Sequence, residues 1–265
     1  MLRNLLYNHS LLFTAVIVIG FWVAISVLGH WTSHRFLALD HRRSHNDVLG
    51  FAASTIGLIY VVLLAFIAST TWISYDRADN LVNQEASIAS DLFNDASVLP
   101  QPFETQATVH LKQYVEEVIN VEWPNMSRGE HAGSTAWPLL RNFYRELSRA
   151  HTENPVQVAI IQEMLTRLNQ LYDVRRERTR IAARPSLQPV IWFVVAAGGL
   201  IMLACTWLFG FEKRGLHLLC TILIAASLGL VIFLIVAFDY PFRGEMAISP
   251  APFERVLDHM NKPKS

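Results

Sequence analysis

The chain has 265 residues, of which 52% are hydrophobic, and its 22 basic and 22 acidic side chains give it no formal net charge at pH 7. Nucleic-acid-binding proteins carry an excess of positive charge, so this balance indicates no nucleic-acid partner. The two cysteines, Cys205 and Cys220, lie within apolar segments, where packing is their expected role. No disulfide framework and no cysteine metal site is therefore predicted.

Four apolar segments without Asp, Glu, Lys or Arg are arranged two and two around a polar middle. They cover residues 11–29, 48–75, 185–211 and 215–238. Each has the roughly 18 to 20 residues needed to cross the hydrocarbon core of a bilayer. Because backbone polar groups must be paired within lipid, segments of this composition are expected to be α-helices. The sequence therefore predicts an all-α, multi-pass integral membrane protein in contact with the lipid bilayer.

The polar middle, residues 76–184, carries helical periodicity almost throughout. Apolar residues recur at steps of three and four from Leu81 to Leu99, which extends the second membrane helix beyond the bilayer until Pro100 stops it. A second helix is predicted from the spacing of Leu111, Val115 and Val118, with its end near the Trp123-Pro124 pair. These patterns indicate a helical bundle outside the membrane.

Two further helices complete this predicted bundle. One spans Trp137 to Leu147, and the other begins with Asn154 as its cap, Pro155 at the first helical position and Gln157 as the capping-box partner. The predicted domains are 1–75 for the first membrane helix pair, 76–184 for the helical domain, 185–240 for the second membrane pair, and 241–265 for a C-terminal turn and tail.

Four spans place both termini and the helical domain on one side of the membrane, with the loops 30–47 and 212–214 on the other. Basic residues near the spans are more numerous on the side of the termini than in the two loops. Since positive charge is concentrated on the cytoplasmic side of membrane proteins, the termini and the helical domain are predicted to be cytoplasmic.

Two histidine pairs near a membrane face are weak candidates for a metal site. His30 and His34, and likewise His41 and His45, are one helical turn apart, as in the iron-binding motifs of membrane desaturases and hydroxylases. Those enzymes need more histidines, including an adjacent pair, whereas the others here are scattered singly. An interfacial loop with Trp31 as its anchor is the favoured explanation of the pattern, so no metal or other cofactor is predicted.

The sequence contains no nucleotide-binding glycine loop, nucleophile elbow or zincin helix. It is therefore not predicted to be an enzyme. A metal enzyme that uses His30, His34, His41 and His45 stays open as a third and weaker possibility.

Small and apolar residues form one predicted face of the second membrane helix. The face comprises Gly50, Ser54, Gly57, Val61, Leu64 and Ala68. Small faces commonly serve close helix packing, and similar clusters occur at Ala196–Gly199 and at Ala225 and Gly229. The alternative is that copies of this helix surround a pore. Ser54 and Thr55 would then hydrate an ion, and Val61 and Leu64 would form an apolar constriction that gates by dewetting.

Glu85 occupies a position in the apolar stripe between Leu81 and Ile88. A carboxylate there needs water or a partner. It is predicted either to reach solvent or pair with an arginine of the run Arg175–Arg184, or to take part in ion selection beneath the pore.

The segment Phe238–Met246, directly after the last span, resembles the Asp-x-Pro-Phe-x-Gly motif of the bacterial bestrophin-like membrane proteins. The motif residues are Asp239, Pro241, Phe242, Gly244 and Glu245. Four other segments are similar to the family in the same order: Tyr60–Phe66, Glu85-Ala86, Glu122–Pro124 and Arg180–Trp192. The resemblance thus covers nearly the whole chain.

Bestrophins are pentameric anion channels with four spans per subunit, a large cytosolic helical domain and a pore lined by the second span. The resemblance therefore implies a homo-oligomer, a pentamer, that conducts inorganic ions, in particular chloride or other anions, in the bacterial plasma membrane. Met246–Pro250 lacks the acidic run that binds calcium in the animal channels, so calcium gating is not expected. The different class left open is a non-conducting scaffold or sensor whose cytoplasmic helices bind a partner.

The motif after the last span also has a structural explanation. Pro241 cannot continue the helix, Gly244 permits a positive φ, and Phe242 can fasten the turn to the helical bundle. A tight turn at the membrane surface is therefore predicted for Asp239–Glu245.

Overall fold

The computed structural model describes Tyr7, residues 9–36 and residues 45–262, and these residues form helices and turns without a strand. The all-α prediction is confirmed. The helices are α1 (Leu11–Phe36), α2 (Asn46–Ala96), α3 (Phe103–Glu117), α4 (Trp123–Arg128), α5 (Ala136–Arg149), α6 (Pro155–Ala182), α7 (Pro189–Leu208), α8 (Arg214–Asp239) and α9 (Ala251–Asn261), with a π-helical segment, Val118–Glu122, between α3 and α4.

Within the described residues, four helices, α1, α2, α7 and α8, are long and apolar enough to cross a membrane, as predicted. Helix α2 continues unbroken through 51 residues to Ala96, so the predicted extension of the second span is also confirmed. Helix α7 is shorter than the predicted segment 185–211. It starts at Pro189, whose missing N–H costs nothing in a first turn, and Phe209 is already extended.

The chain forms two compact units. The first contains the described residues as far as Ser74 together with Ser186–Asp239, and the second contains Tyr75–Pro185 and the residues from Tyr240 onward. In the first unit, small residues let the helices approach closely. An added Cβ on Gly229 of α8 would lie 2.9 Å from Cα of Ile19 in α1, and Gly198 of α7 faces the ring of Tyr60. The packing role predicted for these small residues is confirmed.

The second unit has its own apolar core, contributed by α2, α3, α5, α6 and α9. Fully buried members include Leu92, Leu111, Phe143, Leu168 and Phe253. The predicted helix end near Trp123-Pro124 is wrong. The Trp123 N–H bonds to the Val118 carbonyl across a π turn, and Pro124 sits in the first turn of α4, where a helix tolerates proline.

The start of α6 is capped by Asn154, whose Oδ1 accepts from the Val156 N–H at 3.0 Å. Pro155 is the first helical residue, as predicted. The predicted capping box is wrong in its second half, because the Gln157 side chain is engaged elsewhere. It accepts from the Thr152 hydroxyl and donates to the Val98 carbonyl, so it ties the start of α6 to the end of α2.

Close packing of α1 against α8 is testable with two glycines in matched substitutions. Gly229→Ala should lower the Tm of the purified protein in detergent, because the new methyl overpacks the α1 backbone at a cost of about 1–3 kcal/mol. Gly20→Ala meets nothing within 4 Å, so the higher helix propensity of alanine should leave Tm unchanged or raise it. Equal effects of the two substitutions would contradict the packing.

Candidate functional site

The membrane part of α2 has two unlike faces. One face packs inside the first unit and contains Tyr60, Leu64, Ile67 and Thr71, all of which are buried. On the opposite side lie large apolar side chains that the rest of the unit leaves exposed: Phe51, Leu58, Val62, Phe66 and Ile73. Because one residue advances an α-helix by about 100°, these exposed positions form a continuous stripe along the helix. We call this stripe the outer face of α2.

The six predicted pore-lining positions do not coincide with the outer face. Ser54 and Val61 are exposed, and Gly50 and Ala68 are half-buried. Leu64 is 4% exposed, and an added Cβ on Gly57 would meet Cε of Met202 in α7 at 3.2 Å. A pore-lining role for Gly57 and Leu64 does not fit this burial. The predicted face is centred about a third of a turn from the outer face, and its edge at Gly57 and Leu64 packs against the chain itself.

Val61 and Leu64, the predicted constriction, instead border an apolar groove in the first unit. Its volume is about 320 Å³, and its walls include Tyr60, Met202 and Leu228. The hydroxyls of Ser54 and Thr55 donate to the carbonyls of Gly50 and Phe51 of their own helix. This pairing satisfies both hydroxyl hydrogens in an apolar environment.

A cluster of four fully buried charged side chains lies in the second unit: Glu85 from α2, Glu122 from the π-helical segment, and Arg175 and Arg178 from α6. Arg178 binds Glu85 through two hydrogen bonds, from Nε at 2.6 Å and from Nη2 at 2.9 Å. Its Nη2 also lies 2.8 Å from Oε2 of Glu122, and Nη1 of Arg175 donates to the same oxygen at 2.7 Å. Two positive and two negative charges make the cluster neutral.

Aromatic rings enclose this charge cluster. The Arg175 guanidinium lies 4.8 Å from the ring centre of Trp137, and that of Arg178 lies 5.4 Å from the ring of Trp123. The hydroxyl of Tyr114 donates to Oε1 of Glu85. Charged pairs removed from water in this way stay favourable only when their hydrogen bonds are made well, so the cluster fixes how α2, α3 and α6 meet.

Burial and neighbouring charges shift the pKa values of Tyr114 and Arg178 in this cluster. Burial, followed by the negative charge of Glu85, raises the pKa of the Tyr114 hydroxyl well above its ordinary value, so it remains a hydrogen donor. Burial alone would lower the pKa of Arg178. The neighbouring carboxylates of Glu85 and Glu122 outweigh it and raise that pKa, so Arg178 stays charged.

The environment of Glu85 matches one of the predicted alternatives, the ion pair with an arginine of the run 175–184. It does not match the alternative in which the carboxylate reaches solvent. Arg175 and Arg178 both belong to that run, whereas Tyr114 and Glu122 are not predicted as members of the site. Only the apolar stripe around Glu85 indicated a buried charge, because the π turn that carries Glu122 leaves no signature in spacing.

Asp239, the first residue of the predicted turn motif, closes α8 and belongs to the first unit. Its Oδ1 accepts from the Leu187 N–H at 2.8 Å and its carbonyl accepts from the Ser186 N–H at 2.9 Å. Side chain and backbone of Asp239 thereby each satisfy one backbone donor just before α7 begins at Pro189. Asp239 therefore fixes the entry of the chain into the third membrane helix.

The rest of the motif forms the predicted turn in the second unit. Gly244 has φ +82°, and the Ile248 N–H donates to the Pro241 carbonyl at 2.9 Å. Phe242 is buried and packs edge-on against Trp123 with ring centres 5.7 Å apart. The predicted roles of Gly244 and Phe242 in the turn are confirmed, and Glu245 is exposed at its surface.

The histidines are grouped differently from the predicted pairs. Within the described part of the chain, His30 and His34 of α1 come together with His217 of α8, and their potential ligand atoms all lie within 4.8 Å of one another. His45 is exposed and is not part of this group. His41 lies outside the described residues.

Comparison with known proteins identifies the family. A family model for the bestrophin-like domain matches residues 20–253. Among curated proteins, no sequence matches the chain.

Solved structures of bacterial bestrophin homologues share the fold. A variant of the homologue from Klebsiella pneumoniae has a TM-score of 0.68 at 14% identity, and the match covers 92% of this chain and 99% of that one. The same homologue, solved with zinc phasing, has a TM-score of 0.66 at 13% identity over 92% and 97%. A further structure, described only as a membrane protein variant, has a TM-score of 0.67 at 15% identity over 91% and 98%.

The buried charge cluster gives a stability prediction. Arg178→Met should destabilise the full-length protein by about 3–5 kcal/mol, because it leaves the buried Glu85 carboxylate without its partner. Arg180→Met, two residues further along α6, removes a surface ion pair with Glu177 and should cost less than about 1 kcal/mol. Thermal unfolding in detergent measures both. A loss for Arg178→Met no larger than that for Arg180→Met would contradict a structural role of the cluster.

Proposed function

The chain belongs to the bestrophin-like family, and from this we propose that it forms an ion channel whose pore is surrounded by α2 helices from several copies of the chain. We further propose that the channel conducts anions and that the assembly is a homo-oligomer, a pentamer as in bestrophins. The membrane is then the bacterial plasma membrane, with the termini and the helical domain in the cytoplasm, as the charge distribution favours.

The outer face of α2 is the observation that carries this proposal. Its large side chains are exposed over about six turns, from Phe51 to Ile73, whereas the opposite face is packed inside the chain. Copies of α2 around a common axis would direct this outer face to the axis. The outer face thus takes the place of the face predicted from the sequence. Gly57 and Leu64 belong to that predicted face, and their burial leaves them no access to an ion path.

The chemistry of the outer face suits a dewetting gate. Leu58, Val62 and Phe66 follow one another at four-residue steps, so a ring of copies would form an apolar band about two turns long. Such a band blocks ions when narrow and conducts when widened enough to admit water. Thr55 and Ser69 carry hydroxyls on either side of the band, where an ion would keep part of its hydration.

The described residues of the outer face between Phe51 and Ile73 include no charged side chain. Anion preference therefore has to come from weaker interactions. The edge of an aromatic ring carries positive potential, so Phe66 edges that face the axis would favour an anion over a cation. An uncharged band of this kind also favours anions that shed water easily, so iodide and nitrate are expected to pass more readily than chloride.

Ion flux from liposomes that contain the purified protein tests the proposal. Wild type should release chloride faster than sodium or potassium. Phe66→Ala should increase the anion flux severalfold, because trimming the apolar band lowers its barrier to water and ions. Phe193→Ala in α7 is the matched control, since Phe66 and Phe193 are both phenylalanines that are 72% exposed in one chain. Its flux should equal that of wild type.

Two results would contradict the proposal. Absence of flux for every ion, from protein shown to be folded and oligomeric, would favour the non-conducting scaffold or sensor. An equal increase of flux in Phe66→Ala and Phe193→Ala would place the constriction elsewhere than on the outer face of α2.

A further inference from the structure

Three histidines converge at the end of the membrane helices where α1 ends and α8 begins. His30 and His34 are four residues apart and therefore lie on one side of α1, with ring centres 4.4 Å apart. His217, in the first turn of α8, brings a third ring to within 4.6 Å of His30 and 5.4 Å of His34, again between ring centres. His30 and His217 are buried and His34 is half-buried.

Hydrogen bonding fixes which nitrogen of His217 faces the other two rings. Its Nε2 lies 2.9 Å from the Thr206 carbonyl oxygen. A carbonyl only accepts, so Nε2 carries the proton and the lone pair is on Nδ1. That Nδ1 lies 3.2 Å from Nε2 of His34. Metal-binding histidines usually have this arrangement, in which one ring N–H donates to a carbonyl and the other nitrogen binds the ion.

Distances in the cluster fit a small divalent ion. Two imidazole nitrogens on a tetrahedral zinc, each about 2.0–2.1 Å from the metal, are about 3.3 Å apart. The pair formed by His34 and His217 is already at 3.2 Å. All three potential ligand atoms lie within 4.8 Å of one another, so rotation of the His30 ring toward the pair closes the set.

The surroundings hold the His217 ring and the adjoining helix ends in place. Phe211 stacks on His217 with ring centres 4.9 Å apart, at an angle of 18° between the planes. Gly29, next to His30, packs directly against the Trp207 ring, so the ends of α1 and α7 are in close contact there. The Ser26 hydroxyl donates to the Thr221 carbonyl at 3.0 Å and joins α1 to α8 one turn away. The helices that carry the histidines are therefore closely packed at this end of the first unit, and the adjustment that a metal requires is confined to the His30 side chain.

We propose that His30, His34 and His217 bind one divalent transition-metal ion, with zinc as the favoured metal and water as a fourth ligand. Three imidazoles and an open position are a known zinc environment, and imidazole suits zinc better than it suits calcium or magnesium. The ion joins α1, which supplies two ligands, to α8, which supplies one. Zinc binding therefore stabilises this end of the helix bundle. Zinc binding at these histidines does not depend on whether the chain conducts ions.

Metal content and cobalt absorption test the site in the full-length protein. Protein stripped of metal and then dialysed against zinc should hold one zinc per chain. Cobalt in its place should give the intense visible absorption of a tetrahedral site. His34→Asn and His217→Asn should each weaken zinc affinity more than about tenfold. Loss of a residue that only hydrogen-bonds a metal ligand already weakens affinity by about that factor. His45→Asn, an exposed histidine outside the cluster, should bind like wild type.

A second variant separates loss of a ligand from loss of folding. His34→Cys also removes the imidazole, but it offers a thiolate to zinc, so it should keep the metal where His34→Asn loses it. Zinc should raise the Tm of wild type and of His34→Cys but not that of His34→Asn. Wild type that binds no zinc would overturn the proposal and leave a simple hydrogen bond between His34 and His217. Unchanged binding in both asparagine variants, or loss in His45→Asn, would overturn it as well.

Discussion

The 3.6-residue period of α2 is the constraint on which the proposed channel depends. A helix in a bilayer must cover each of its faces with protein, lipid or water, and α2 covers only one of them with its own chain. Tyr60 and Leu64 are inside the first unit, whereas Val62, between them in sequence, points away from it. The outer face is therefore the surface left for lipid, for other copies of the chain or for an ion path. The division holds for about six turns, from Phe51 to Ile73.

Much of the fold could be predicted from the sequence, because the bilayer allows few solutions. Four apolar segments of sufficient length require four helices, and Pro100 and Pro155 mark the boundaries of helices outside them. The small residues at Gly198 and Gly229 indicated close helix contacts, which the structure contains. The motif after the last span identified the family, and Gly244 adopts the positive φ that its position in the turn predicts.

The candidate sites were less predictable because they depend on contacts between distant parts of the chain. Spacing shows which residues share a helix face, but not whether that face meets another helix of the same chain. Spacing therefore predicts that Gly57 and Leu64 line a pore. In the structure Gly57 packs against α7 and Leu64 borders the groove beside it. Likewise, the partner of His30 and His34 is His217, more than 180 residues away, and no pattern in the sequence connects them.

Whether the outer face of α2 lines an ion path is the central question, and modification of single cysteines answers it most directly. Cys205 and Cys220 are first replaced by alanine to remove the background thiols. Liposomes containing Val62→Cys or Leu64→Cys are then treated with a charged methanethiosulfonate reagent while chloride flux is measured. Modification should abolish flux in Val62→Cys and leave Leu64→Cys unchanged. Inhibition of Leu64→Cys alone, or of neither variant, would contradict a pore lined by this face.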